Sequence, residues 1–301
     1  MKIGIIGAGS IGLLFASYLS KTFEVNLYTR TVEQAAEINQ YGILIKKGSE
    51  QSIAFVNACP VTEWAGLDDF TIIAVKQYQL QSIIEPIRFQ SIFCENFLFL
   101  QNGMGHLKLL ENIQAKNLFV GTVEHGALKQ GSNVVFHNGV GITNAAVLKG
   151  KIEPLRHLSE LTPKEFPIFI KKDYREMMVN KLIVNAIINP LTAILGVKNG
   201  ALIQNQYYYK VLVNLFLEIC NILGLENQEM YLEQVLKICK NTANNRSSML
   251  KDIEAGRLTE IEAILGYLLD EAAKQKKHTP QIETLYYLIK GKEQDERGDH
   301  L

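Results

Sequence analysis

The opening run "KIGIIGAGSIG" narrows the fold more than any other stretch of this chain. Ile3, Ile5 and Ile6 are β-branched residues suited to a strand, and a helical pattern follows the glycines at 7, 9 and 12. The three glycines serve in turn a tight turn, close approach of the backbone to a pyrophosphate, and contact between helix and strand. The helix start then offers unpaired N–H groups and a positive dipole end to phosphate. "EVNLY" supplies the second strand, so the motif sits in the strand–loop–helix–strand setting that a dinucleotide site requires. The expected loop contacts are Gly7, Ala8, Gly9, Ser10, Ile11 and Gly12.

The first half continues as α/β. "FTIIAV", "NFLFL" and "LFVGTV" read as further strands, and their alternation with helical stretches predicts a doubly wound parallel sheet. "GILIKKG" with "QSIAFVN", and "NVVFHN" with "VGITNA", read as two hairpins. From about residue 173 only helical spacing remains, in "YYYKVLVNLFLEICNIL", "EMYLEQVLKICKN", "TEIEAILGYLLDEAAKQ" and "TPQIETLYYLIKGKE". The expected organisation is a Rossmann-like domain over 1–172 and an all-α domain over 173–301, ending in a polar tail, "QDERGDHL".

Charge is balanced, with 31 Lys plus Arg against 31 Asp plus Glu, which points to neither nucleic acid nor an acidic membrane surface as a partner. Cys59, Cys94, Cys220 and Cys239 form no CxxC pair and read as free thiols of a reducing compartment, with no metal site. No signal-peptide pattern precedes the glycine loop, and no uninterrupted apolar run is long enough for a membrane span, so a cytoplasmic protein is expected. Nothing in the sequence decides whether the chain forms a homodimer.

After the second strand an NAD enzyme usually carries an acid for the ribose hydroxyls. This chain has "NLYTRT" there, where Arg30, flanked by the hydroxyls of Thr29 and Thr31, can pair with a 2′-phosphate. NADP(H) is therefore the expected cofactor. Ligands of open α/β sheets lie beyond the C-terminal strand ends, where Lys76 follows "TIIAV" and Asn102 follows "FLFLQ". "EHGA", residues 124–127, follows another strand and is a candidate wall of the same site.

In "KLIVNAIINPLTAI" the polar residues Lys181, Asn185 and Asn189 recur every four positions of an otherwise apolar segment. On a helix that spacing makes one stripe, and a buried amide or ammonium needs a partner, either a neighbouring helix or a ligand. Pro190 cannot donate to the carbonyl of Ala186, so a kink or a helix end is expected there. "TEIE" reads as a capping box from Thr259 to Glu262, and Ser248 ahead of "MLKDI" reads equally as a cap or a contact.

Together "GIIGAGSIG", "VKQYQL", "LQNGMG", "KLIVNAIINPLTA", "VKNG" and "NRSSMLKDI" with "GRLTEIEAILGYLL" resemble the ketopantoate reductase (2-dehydropantoate 2-reductase) family over nearly the whole chain. The resemblance implies NADPH-dependent reduction of ketopantoate to pantoate in pantothenate synthesis, with the active site between a Rossmann and a helical domain. It makes Lys181 the general acid and assigns substrate contacts to Asn102, Lys181, Asn185, Asn189, Asn199 and Ser248. It gives Arg30, Lys76, Asn102, Ala127 and Glu260 to the cofactor, with Glu260 near the substrate as well and counted with Lys181 as catalytic. Family members often carry a tryptophan where this chain has Met177 and Met178. Reduction of a different 2-oxo acid, or NADPH sensing without turnover, are the alternative readings.

Overall fold

A computed structural model describes residues 1–89 and 94–295, and the chain divides into two compact units. One comprises Met1–Gln101 and Leu109–Met177, the other Asn102–Lys108 and Met178–Leu301. The first contains β1 (Lys2–Ile6), α1 (Ser10–Leu19), β2 (Glu24–Thr29), α2 (Val32–Tyr41), β3 (Ile43–Lys47), β4 (Glu50–Ala54) and β5 (Asn57–Pro60). There follow β6 (Phe70–Ile73), α3 (Gln77–Phe89), β7 (Asn96–Phe99) and α4 (Leu107–Leu110), which the division cuts. The unit closes with β8 (Asn117–Val123), β9 (Gly126–Gln130), β10 (Val134–Gly139), β11 (Thr143–Lys149), α5 (Glu153–Leu161) and β12 (Ile168–Ile170).

The larger sheet has the order β12-β11-β8-β7-β6-β1-β2-β5. From β5 to β8 all neighbours are parallel, whereas β11 joins β8 antiparallel and β12 follows β11 in parallel. Strands β1 and β6 are buried almost along their length, as expected where a parallel sheet is covered on both faces. The chain winds outward from β1 through β2 to β5, then returns to β6. The order therefore reverses between β1 and β6, which is where such sheets bind ligands.

A second, four-stranded sheet of order β4-β3-β10-β9 was not expected from the sequence. The β3–β4 hairpin forms as read, with Ile43 opposite Ala54. The other hairpin is different: β10 pairs with β9 across a turn at Gly131 (φ +69°), while β11 joins the larger sheet. At the crossing between the sheets, Glu124 N donates to Ile142 O at 2.9 Å, and a Cβ on Gly141 would lie 2.3 Å from Glu124 O. Helix α1 packs on β1 and β2 of one sheet and on β3, β4, β9 and β10 of the other. Residues Gly12–Leu19 are consequently buried on every side, which explains why "GLLFASYL" has no polar face. Behind it, Phe166 stacks on Tyr18 (4.5 Å) and His125 (4.4 Å). Tyr18, His137 and His125 form a buried hydrogen-bonded chain of 2.9 and 3.2 Å.

The second unit is helical: α6 (Tyr174–Leu195, its first turn counted with the other unit), α7 (Ala201–Gln204), α8 (Gln206–Leu223), α9 (Gln228–Asn241) and α10 (Ser248–Glu254). A π-helical turn at Glu262–Gly266 leads into α11 (Tyr267–Lys274), and α12 (Pro280–Asp295) follows. Helix α8 is capped by Asn205 Oδ1, which accepts from Tyr207 N and Tyr208 N, and it stops at left-handed Gly224 (φ +63°). Its stripe Leu212, Leu215, Phe216 and Ile219 is buried among α7, α9, α11 and α12. Burial of each such side chain contributes about 1.5–3 kcal/mol.

Helix α6 runs through Pro190 without ending. The Thr192 hydroxyl donates back to Ile188 O (2.6 Å) and Asn189 O (3.1 Å) beside the break in the hydrogen-bond ladder. Among the described residues α6 alone is long and apolar enough to cross a membrane, but it is mostly buried in the protein, as a core helix is. Of the expected polar tail, Gln294 and Asp295 close α12, and residues 296–301 lie outside the described residues.

Candidate functional site

The glycine loop follows β1 at the point where strand order reverses, against the end of β6. Gly7 has φ +108°, and a Cβ there would lie 2.8 Å from Val75 Cγ1 and 3.1 Å from the Ala74 backbone. A Cβ on Gly12 would fall 1.7 Å from Gly7 O, so α1 can start this close to β1 only with glycine. Gly9 differs: it is exposed, and an added Cβ would meet nothing within 4 Å. No side chain caps α1, whose N-cap is Gly9 itself. The loop thus combines a closed underside, an open face and uncapped N–H groups, which fits the pyrophosphate of a dinucleotide. Ser10 accepts from Lys129 N at 3.0 Å, Ile11 is half-buried, and Ala8 O accepts from Gln34 Nε2 and Lys129 Nζ.

Arg30 stands exposed just after β2. Of its two neighbours only Thr31 keeps an exposed hydroxyl that can donate to a phosphate; Thr29 does not, contrary to expectation. Thr29 is fully buried and donates to Thr31 O at 2.7 Å, and Thr31 Oγ1 caps α2 by accepting from Gln34 N. Lys76 precedes α3, where its N–H donates to Gln79 Oε1 at 3.3 Å while Gln79 N donates to Lys76 O at 2.9 Å. Its ammonium lies 6.0 Å from the centre of the Tyr78 ring. Ala127 is on β9, opposite His137.

In the helical unit the polar stripe meets partners. Asn185 and Asn189 are both 8% exposed and Lys181 is half-buried. Asn102 Nδ2 donates to Glu260 Oε2 at 2.8 Å, and Asn185 Nδ2 approaches Asn102 Oδ1 at 3.5 Å. Asn189 Nδ2 approaches Ser248 Oγ at the same 3.5 Å. These long contacts leave room for a ligand to offer shorter ones. Asn199 is tied elsewhere: its Nδ2 donates to Thr242 Oγ1 at 2.9 Å, while its buried Oδ1 has no partner among the described residues.

Ser248 is not the cap that its sequence position allowed. Ser247 caps α10, accepting from Leu250 N at 3.1 Å, and its hydroxyl lies at hydrogen-bond distance, 2.8 Å, from that of Thr192, so Ser248 is left exposed in the first turn. The expected capping box also fails to close. Thr259 Oγ1 accepts from Ile261 N and donates to buried Glu293, while Glu262 accepts from Tyr286 Oη and pairs with Lys290. Glu260 therefore stands outside the box and accepts from Asn102.

What seats Asn102 is the π turn. Met104 N donates to Ala263 O at 3.3 Å, and left-handed Gly103 (φ +73°) lies so near that a Cβ would be 1.9 Å from the same oxygen. π turns expose backbone groups that a regular helix would occupy, and they recur at functional sites. Sequence reasoning missed this turn, which looks like ordinary helix, and it missed Gln34, Lys129, Ser247 and Glu293. Gln101 lies inside the "LQNGMG" motif, but its role was not foreseen; its Nε2 ties Ile73 O and Val75 O at 3.0 and 2.9 Å.

The family profile described as "Ketopantoate reductase PanE/ApbA" matches residues 3–150, and its C-terminal counterpart matches residues 173–293. The chain belongs to the ketopantoate reductase family. Within that family, the 2-dehydropantoate 2-reductase of Bacillus subtilis (strain 168) is 43% identical over 298 residues, 98% of either chain. That of Listeria innocua is 37% identical over 297 residues, 97% of either chain. The crystal structure of the panE protein of Bacillus subtilis has a TM-score of 0.88 and 42% identity, over 97% of this chain and all of that one. Fold and family thus agree over both units.

Proposed function

We infer that this chain catalyses the NADPH-dependent reduction of 2-dehydropantoate (ketopantoate) to (R)-pantoate, in pantothenate biosynthesis. The observation that carries this reading is the kinship along the whole chain, joined to a polar stripe on α6 that keeps Lys181 on the same helix face as two buried asparagines. When bound, the reduced nicotinamide supplies a hydride. In this reading the glycine loop and the start of α1 hold the pyrophosphate, and Arg30 pairs with the 2′-phosphate. Lys76, Ala127 and Asn102 line the cofactor, and Glu260 fixes Asn102 by accepting from its amide.

Lysine is an ammonium at neutral pH, and Lys181 donates its proton to the C2 oxygen of the substrate as charge develops there. Asn185, Asn189, Ser248 and Asn102 hold the substrate's carboxylate and hydroxyl, and Asn199, its amide nitrogen bound to Thr242, contributes its remaining amide oxygen. A 2-oxo acid lacking that hydroxyl leaves a buried amide unpartnered, which disfavours it. The protein needs the small-molecule substrate and neither nucleic acid nor membrane, and we place it in the cytoplasm. Homodimerisation is tested by light scattering: twice the 33.9 kDa chain mass supports it and the single mass rejects it.

The activity test is oxidation of NADPH by the purified protein with ketopantoate and a panel of other 2-oxo acids, with the product identified as pantoate. The highest kcat/KM is expected for ketopantoate. A higher value for another 2-oxo acid would reassign the substrate, and cofactor binding without oxidation on any of them would favour a sensor.

A further inference from the structure

Two side chains from different elements converge on one carbonyl beneath the glycine loop. Lys129 Nζ, from β9, donates to Ala8 O at 3.1 Å, and Gln34 Nε2, from α2, donates to the same oxygen at 3.0 Å. A carbonyl oxygen has two lone pairs, so this pair of donors can saturate it. The described chain contains no cis peptide bond. In a planar trans peptide the N–H of Gly9 points opposite to the carbonyl of Ala8. Holding that carbonyl inward therefore turns the Gly9 N–H outward, at the residue whose surroundings are open.

Both donors are themselves fixed. Gln34 is 9% exposed, its second amide hydrogen goes to Ser132 O at 2.7 Å, and its backbone N–H is held by the Thr31 cap. Lys129 is half-buried, and its backbone N–H donates to Ser10 Oγ at 3.0 Å. Neither residue belongs to the loop, and neither is needed to close its turn, which the glycines do. We propose that Lys129 and Gln34 are positioning residues for the cofactor: they clamp the Ala8–Gly9 peptide with its N–H turned to the pyrophosphate, and Lys129 places a positive charge behind that anion. Burial works against the ammonium and lowers its pKa, while the Glu37 carboxylate opposes that shift.

The proposal rests on the NADPH reading above and makes a demand that Arg30 does not. The pyrophosphate is common to NADPH and NADH, so loss of the clamp must weaken both by the same factor, whereas loss of a 2′-phosphate contact weakens NADPH alone. The test is calorimetric titration of the full-length protein, without substrate, with NADPH and separately with NADH. Lys129→Met and Gln34→Met are each expected to raise both Kd values about 10-fold, with the ratio of the two unchanged and the melting temperature of the free protein within a few degrees of native. Lys129→Arg, which keeps charge and donor, is expected to retain near-native affinity. If Lys129→Met fails to fold, Lys129→Gln, which keeps an amide donor and loses the charge, carries the same expectation of equal loss.

Native-like Kd values in the Lys129 and Gln34 variants, or a loss confined to NADPH, would overturn the clamp. So would a fall in melting temperature with unchanged affinity, which marks a purely structural brace. A native protein that binds neither nucleotide would overturn the cofactor reading itself. That outcome is distinct from a native protein that binds and variants that bind as well.

Discussion

The run Thr29–Arg30–Thr31 divides its work in a way that spacing alone does not reveal. The Thr29 hydroxyl is spent on the backbone of the turn and that of Thr31 accepts the cap bond, so the one positive charge available to a 2′-phosphate in this run is Arg30. Arg30→Ala is expected to weaken NADPH by roughly 10- to 150-fold, the range of one charge-assisted contact, and to leave NADH nearly unchanged. Equal losses in parallel titrations would take Arg30 off the phosphate. Asn189 belongs to the same scale. Its four-residue spacing from Asn185 was legible in the sequence because a helix repeats its face, and the long contact to Ser248 leaves it capacity for substrate. Asn189→Ala should raise KM for ketopantoate about 10-fold with NADPH affinity intact. A large drop in melting temperature with KM unchanged would make it a core amide. Lys129 and Gln34 were not legible, because a side chain reaching a distant backbone carbonyl leaves no periodic trace.

At the scale of elements, strand and helix types were readable where periodicity was strong, in β1, β2, β6 to β8, α8, α9, α11 and α12. Partners were less readable. Strand β10 lies between β3 and β9, and the short Val140–Ile142 link carries the chain into the other sheet, so proximity in sequence suggested the wrong hairpin. The clue was α1: a helix without a polar face needs cover on both sides, and the second sheet supplies it. The π turn was hidden because "EAILG" satisfies helical spacing, and only the Met104 bond to Ala263 O reveals what the turn holds. Gly103→Ala places a Cβ 1.9 Å from that oxygen and forces a side chain into a left-handed conformation. It should cost about 1–3 kcal/mol or more in stability and raise KM by displacing Asn102. A variant with native melting temperature and KM would show that the loop relaxes without consequence.

For the whole molecule, acid stability follows from two buried histidines. Burial pushes His106 and His125 down to about 4, the latter helped by neighbouring His137, and the ring nitrogens of His106 have no partner among the described residues. The unfolded chain takes up these protons near pH 6.5 and the folded chain does not, so stability is full above that pH and falls as pH drops towards 4. Urea unfolding at pH 7.5, 6 and 5 should show a decline on the order of a few kcal/mol in all, and His106→Leu should make it shallower, leaving the part due to His125, with stability at pH 7.5 unchanged or higher. A slope untouched by that change would place the sensitivity elsewhere. In the proposed chemistry cofactor binding is assigned to the glycine loop and proton donation to Lys181 of α6. Lys181→Ala separates binding from proton donation in one measurement, turnover of ketopantoate set beside the Kd for NADPH. The role of Lys181 as the acid predicts turnover reduced by about 10²–10⁴-fold, the usual contribution of a positioned acid, with the Kd unchanged. Near-native turnover with the lysine removed would contradict it.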